Sequence, residues 1–131
     1  APLLCWSEKF SVGIDEVDRQ HKHLMNLINN IDKVVNKGGS YEQFSPIVDE
    51  LVSYTRQHFA YEEKLLKENQ CPDFEEHQQS HLLLHKEILD WQKKVQHCNQ
   101  TQLKELMTML KLWFPSHILT ADKKHAEYLI K

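Results

Sequence analysis

Histidine and carboxylate side chains recur along this chain at helical spacings, and both types are common metal ligands. The pairs of interest separated by four residues include His58 with Glu62 and His77 with His81. Residues four apart on an α-helix stand one above the other on the same face. Each pair can therefore present two ligands to one small volume.

Two further histidines extend this pattern to other parts of the chain. His21 precedes Leu24 by three residues and Ile28 by seven, and His117 follows Leu110 by seven. A single histidine on an apolar face is more often a hydrogen-bonded core residue, and a His-rich helix produces HxxxH pairs by chance. A set of five histidines and a glutamate directed inward from four helices is not explained in this way. Burying so many polar groups is costly unless they are paired or bound to metal, so the set favours a metal site.

Asp122 follows His117 by five residues, which is about 140° of rotation in an α-helix. A local distortion or a position near the bundle edge is needed to bring it into the set. Imidazole suits iron, copper, zinc and nickel, shared carboxylates suit two metals, and seven ligands are too many for one tetrahedral zinc. If Glu62 and Asp122 each bridge two ions, five imidazoles and a hydroxide leave one position open for a small ligand.

The elements that would position these residues are helices. The 131 residues include only three Gly and four Pro, and the length fits a single domain spanning residues 1–131. Apolar residues recur with helical periodicity, and Asn99 with Gln102 predicts a capping box. We predict an all-α, up-down-up-down four-helix bundle with an extended N-terminal arm at residues 1–17. The predicted helices are about 18–37, 45–68, 74–96 and 100–129, the last with a kink near Pro115.

Composition excludes several classes of protein. The formal charge is −3, with no basic stripe of the kind that binds nucleic acid. No apolar run approaches the roughly 20 residues needed to cross a bilayer. The three cysteines lack CxxC spacing and nothing in the sequence directs export, so we expect reduced thiols and a cytoplasmic location. The helical stripes show no exposed apolar patch, which favours a monomer.

The motifs, taken in order, resemble those of the hemerythrin family, specifically the single-domain bacterial members. The resemblance covers nearly the whole chain and rests on the following motifs: Trp6 through Val12-Gly13-Ile14, Asp18-x-x-His21-x-x-Leu24, His58-x-x-x-Glu62, His77-x-x-x-His81 and His117-Ile118-x-x-x-Asp122.

This resemblance implies a non-haem di-iron centre with an oxo or hydroxo bridge. One iron would be bound by His77, His81 and His117 and the other by His21 and His58, with Glu62 and Asp122 bridging the two. The resemblance also implies an oxygen pocket formed by Phe59, Trp113, Phe114 and Ile118, although a leucine is familiar at the position of Phe114.

The function implied by the resemblance is reversible binding of molecular oxygen for carriage, storage or delivery, without enzymatic activity. An oxygen-consuming enzyme would then be a natural partner. Two alternatives remain at this point, namely a di-iron oxidase or peroxidase and a sensor of oxygen, nitric oxide or iron. The sequence contains no Glu-x-x-His, the motif that di-iron carboxylate enzymes usually carry.

Overall fold

The computed structural model describes residues 4–124 and residue 126, except for the side chains of His117 and Ala121. Four long helices follow one another in the chain, joined by short connections. They are α1 (Asp15–Asn36), α2 (Tyr41–Glu68), α3 (Phe74–Val95) and α4 (Gln100–Trp113), followed by a π-helical segment (Phe114–Leu119) and a short helix α5 (Thr120–Lys124). The predicted continuation to residue 129 lies outside the described residues.

Each long helix packs against two neighbours, so that α1, α2, α3 and α4 enclose one apolar core. The short connections make neighbouring helices antiparallel, which confirms the predicted all-α four-helix bundle. Phe44, Leu51, Ile28 and Leu110 are almost completely buried in the core. Among the described helices, none is long and apolar enough to span a membrane.

Helix termini differ from the sequence-based boundaries for local reasons. Helix α1 begins at Asp15 rather than near residue 18, and its acidic first turn suits the positive end of the helix dipole. Helix α2 begins at Tyr41 rather than near residue 45, where the backbone N–H of Ser40 donates to Gln43 Oε1 at 2.8 Å. Asn99 and Gln102 form the predicted capping box of α4.

The N-terminal arm runs back along α1 and is tied to it at both ends. Asn29 accepts a hydrogen bond from the Leu4 backbone N–H and donates to the Leu4 carbonyl oxygen, at 2.9 and 2.8 Å. Further along the arm, Asp18 accepts from Ser11 Oγ at 2.5 Å and from the Val12 N–H at 3.0 Å. The chain reverses from the arm into α1 at Gly13, where φ is +82°, a conformation that glycine adopts without strain.

The predicted interruption near Pro115 takes the form of the π-helical segment Phe114–Leu119. Proline has no N–H to donate to the residue four positions earlier. A π turn instead pairs residues five apart. Positions five apart, such as 117 and 122, therefore fall nearer to one face than they would in an α-helix.

A buried ion pair fixes α4 against α1. Lys111 Nζ lies 3.0 Å from Asp32 Oδ2, and the two side chains are only 9% and 2% exposed. Removing one partner of such a pair is strongly destabilising, because the charge that stays buried loses its counter-ion. The pair therefore holds α4 in one register, immediately before the π-helical segment.

We expect Asp32→Ala to lower the free energy of unfolding by about 3–5 kcal/mol, because Lys111 would keep its buried charge without this carboxylate. Urea denaturation monitored by circular dichroism measures the change. Asp90→Ala, which removes an exposed carboxylate from α3, should change stability by no more than about 0.5 kcal/mol. Equal effects of the two substitutions would contradict the role given to the ion pair.

Candidate metal centre

Six of the seven predicted ligands converge near one end of the bundle. Each of their side chains is 3% exposed or less. They come from α1, α2, α3 and α5, and are His21, His58, Glu62, His77, His81 and Asp122. The side chain of the seventh, His117, lies outside the described part of the structure, and its role as a ligand stays a prediction.

Asp122 lies at the centre of one half of the cluster. Its Oδ2 is 2.6 Å from His21 Nε2 and 3.0 Å from His58 Nε2. The two histidine nitrogens are themselves 3.1 Å apart. One carboxylate oxygen thus faces two imidazole nitrogens, although Asp122 follows His21 by 101 positions.

Glu62 lies between the two halves of the cluster. Its Oε1 is 3.0 Å from His58 Nε2 on one side and 3.7 Å from His81 Nε2 on the other. Within the described residues, neither Glu62 oxygen meets a partner in hydrogen-bonding geometry, nor does His81 Nε2. Buried polar atoms without partners are costly, so these atoms fit a bound cation.

The burial of the cluster away from water keeps its imidazoles suited to metal binding. Burial lowers the pKa of His21 and of His81, and in each case this outweighs the opposing effect of the nearby carboxylates. Both rings are thus neutral at neutral pH, and a neutral imidazole offers a lone pair to a metal.

The two carboxyl groups differ sharply although both are buried. Burial raises the pKa of Glu62 well above its usual range, and the charge of Asp122 raises it further. Burial also acts to raise the pKa of Asp122, but hydrogen bonds from His21 and His58 outweigh it and hold this pKa well below its usual range. Two like charges so close together in a dry site are unfavourable unless cations neutralise them.

The potential ligand atoms form two overlapping groups. One consists of His21, His58, Glu62 and Asp122, and the other of His77, His81, Glu62 and Asp122; within each group the ligand atoms lie no more than 4.8 Å apart. Both carboxylates belong to both groups. A donor set of this kind fits two cations that share two carboxylates.

Two of the four residues predicted to form the oxygen pocket contact the rings of cluster histidines. Phe59 stacks on His81 with ring centroids 4.2 Å apart, and Phe114 meets the edge of His21 at 6.3 Å. Ile118 is 1% exposed. Trp113 is half-buried, and its indole N–H donates to Glu87 at 2.9 Å in a groove between α3 and α4.

Two residues next to the ligands were missed by the sequence analysis. His58 Nδ1 lies 2.7 Å from Gln20 Oε1, and His81 Nδ1 lies 2.8 Å from Glu63 Oε2. Gln20 is buried beside His21. A polar residue next to a candidate ligand was the sequence signal that could have pointed to it. Glu63 lies one position from the apolar row of α2, and nothing in a single helical pattern connects it with a histidine 18 positions away.

Two other histidines lie outside the cluster. His23 Nε2 is paired with Glu50 Oε2 at 3.1 Å on the surface. His85 lines an outer groove between α2 and α3 that is also lined by Arg56. His85 continues the four-residue spacing of His77 and His81, but it belongs to neither group of potential ligands.

The chain belongs to the hemerythrin family: residues 12–129 match the family model described as the hemerythrin HHE cation binding domain. It is 30% identical over 125 residues to a bacteriohemerythrin of Stenotrophomonas maltophilia, covering 95% of this chain and 80% of the relative. A bacteriohemerythrin of Clostridium acetobutylicum is 22% identical and is covered in full, with 95% of this chain aligned. A myohemerythrin of Theromyzon tessulatum is 26% identical over 92% of this chain and 88% of its own length.

We expect Glu62→Met to leave the metal-free protein as stable as the original or more stable, by up to about 4 kcal/mol, because an apolar side chain of similar size replaces a buried carboxyl group. The same variant should lose the stabilisation that ferrous iron gives, because the two ligand groups lose a shared carboxylate. Urea denaturation under nitrogen, with and without ferrous iron, measures both effects.

His23→Ala is the control, since this surface histidine lies away from the cluster, and it should keep the stabilisation by iron. A Glu62→Met protein that iron still stabilises as strongly as the original would contradict the assignment of Glu62 as a ligand.

Proposed function

We propose that this protein holds two iron ions and binds molecular oxygen reversibly at them. The observation that carries the proposal is the pair of overlapping ligand groups that share Glu62 and Asp122. A mononuclear site does not need two buried carboxylates with imidazoles on both sides. The family membership and the names of the relatives support iron and oxygen as the metal and the ligand.

The ligands divide between the two irons according to the two groups. His21 and His58 would hold one iron, and His77 and His81 would hold the other, together with His117 as the family motif implies. Glu62 and Asp122, which belong to both groups, would be ligands to both ions. Two ferrous ions carry four positive charges, and two carboxylates with one hydroxide neutralise three of them, so only a modest charge is buried.

When bound, the iron pair supplies electrons that allow oxygen to be held and then released. The protein contributes a dry, rigid surrounding for that exchange. Phe59 and Phe114 cover two ligand rings, and Ile118 belongs to the same buried apolar core. Excluding water protects a reactive centre from side reactions, and it favours the return of oxygen over its consumption.

An enzyme of the di-iron oxidase class is less well supported. Such bundles carry a glutamate from each of two helices and a Glu-x-x-His motif from each of the others. Within the described residues, the two ligand groups contain four histidines and only two carboxylates. A donor set dominated by neutral imidazole favours a carrier of oxygen.

A cycle of oxygenation tests the proposed function. Protein loaded with two equivalents of ferrous iron under nitrogen should develop a visible absorption band when oxygen is admitted, and the band should bleach when nitrogen is swept through. The cycle should repeat many times without loss of iron, as measured by metal analysis.

Irreversible oxidation coupled to turnover of an added reductant would instead identify an oxidase. Binding of a single zinc ion per chain, with no uptake of iron, would reject the di-iron centre altogether.

The ring of Phe114 offers a second test, because it packs against the edge of His21. We expect Phe114→Leu to open space beside this ligand and to increase the rate of irreversible oxidation of the loaded protein, because water gains access to the site. The rate is followed by the loss of the reversible band over time in air.

Phe44→Leu is the matched control, since Phe44 is also fully buried but lies near the start of α2, away from the ligands. It should lower stability without increasing the oxidation rate. Equal oxidation rates for the two variants would exclude Phe114 from the pocket.

A further inference from the structure

The Nδ1 atoms of the two ligand histidines His58 and His81 make hydrogen bonds to chemically different partners. His58 Nδ1 lies 2.7 Å from the amide oxygen of Gln20. His81 Nδ1 lies 2.8 Å from a carboxylate oxygen of Glu63. One histidine is therefore held by a neutral group and the other by an acidic one.

Both contacts select the same tautomer. An amide oxygen and a carboxylate oxygen accept hydrogen bonds, so each histidine donates its Nδ1 proton to its partner. In the neutral ring of His81 the lone pair is then on Nε2, the atom that faces the cluster, whereas His58 Nε2 faces Asp122 Oδ2 at 3.0 Å. For His81 this Nε2 is buried and has no hydrogen-bond partner within the described chain, as expected of a nitrogen reserved for a metal.

Each partner is itself oriented by a further contact. Gln20 Nε2 donates to Glu16 Oε2 at 2.8 Å, and Glu16 is paired with Arg19 at 2.5 Å. Glu63 Oε1 accepts from Gln78 Nε2 at 3.0 Å. The amide of Gln20 is thus turned with its oxygen toward His58, and Glu63 is held between α2 and α3.

The electrostatic consequences of the two arrangements differ. The carboxylate of Glu16 is neutralised by Arg19 and is separated from His58 by the whole amide of Gln20. Glu63 contacts His81 directly, and no lysine or arginine in the described range forms an ion pair with it. A carboxylate that accepts a hydrogen bond from the Nδ1 atom of a ligand histidine makes Nε2 of that histidine a stronger donor to its metal.

We propose that Glu63 is a positioning residue that fixes the tautomer of His81 and makes it the stronger imidazole donor, so that the two metal positions are electronically unequal. Glu63 does not touch the metal position and acts only through His81. The effect on iron rests on the proposed function, whereas the effect on the tautomer of the metal-free protein does not. The iron bound by His77 and His81 is then the one more strongly stabilised in its ferric state.

Three variants of the full chain separate the effects of hydrogen bonding and charge. Glu63→Ala removes the acceptor and the charge, and Glu63→Gln keeps an acceptor and removes the charge. Glu68→Gln removes an exposed carboxylate from the same helix and is the matched control for net charge. Nitrogen-15 NMR of the metal-free protein reports which ring nitrogen of His81 carries the proton.

We expect the proton on Nδ1 in the original protein, in Glu63→Gln and in Glu68→Gln, and its loss from that atom in Glu63→Ala. Competition with a chelator for ferrous iron under nitrogen should show affinity about 10–100-fold weaker in Glu63→Ala, a smaller loss in Glu63→Gln, and no change in Glu68→Gln. The reduction potential of the loaded protein should rise in Glu63→Gln relative to Glu68→Gln, since the ferric state loses a nearby negative charge.

An unchanged tautomer in Glu63→Ala, or iron affinity and potential in Glu63→Gln equal to those of Glu68→Gln, would overturn the proposal. The Glu63→Gln comparison decides the matter if Glu63→Ala does not fold. Normal oxygen cycling with no effect of Glu63 would reject this inference alone. Dependence of iron binding on Glu63 without oxygen cycling would reject the proposed function and leave the inference standing.

Discussion

Two carboxyl groups lie in the dry interior near one end of a helical bundle, and the rest of the site is organised around the cost of burying them. Asp122 is stabilised as an anion by the nitrogens of His21 and His58, whereas neither oxygen of Glu62 meets a partner in hydrogen-bonding geometry among the described residues. Burying charge is tolerated only where it is paired, hydrogen-bonded or bound to metal. The surrounding imidazoles, the aromatic cover and the absence of other acids in the two ligand groups are all consistent with two cations meeting that cost.

Much of this arrangement could be predicted from the sequence, because the apolar periodicity of each long helix that carries a candidate ligand indicates which face is buried. His21, His58, Glu62, His77 and His81 lie in rows with aliphatic residues, and helical periodicity was enough to direct them inward. Asp122 follows His117 by five residues, a spacing that does not place both on one face of an α-helix. The π-helical segment Phe114–Leu119 changes this spacing, and it depends on how the helix accommodates Pro115. The family motif predicted its role, while the spacing alone did not.

The contacts made behind the ligands could not be predicted in the same way. Gln20 and Glu63 act across helices, and their partners are fixed by how α1, α2 and α3 pack together. The helix boundaries that differed also reflect local contacts, such as the bond from Ser40 to Gln43 at the start of α2. Sequence patterns report which face of a helix is inside, whereas the atoms that meet across that face depend on the assembled bundle.

The separation of 101 positions between His21 and Asp122 has a consequence for how the site comes into being. A ribosome releases His21 and the cluster residues of α2 and α3 well before Asp122, so the nascent chain at first carries a cluster that lacks one of its two buried carboxylates. Closing such a long loop costs entropy that packing of the last helix must offset. Asp122 therefore joins the cluster after the residues from α1, α2 and α3, and a chain in which α5 has not yet packed lacks one of the two carboxylates that the ligand groups share.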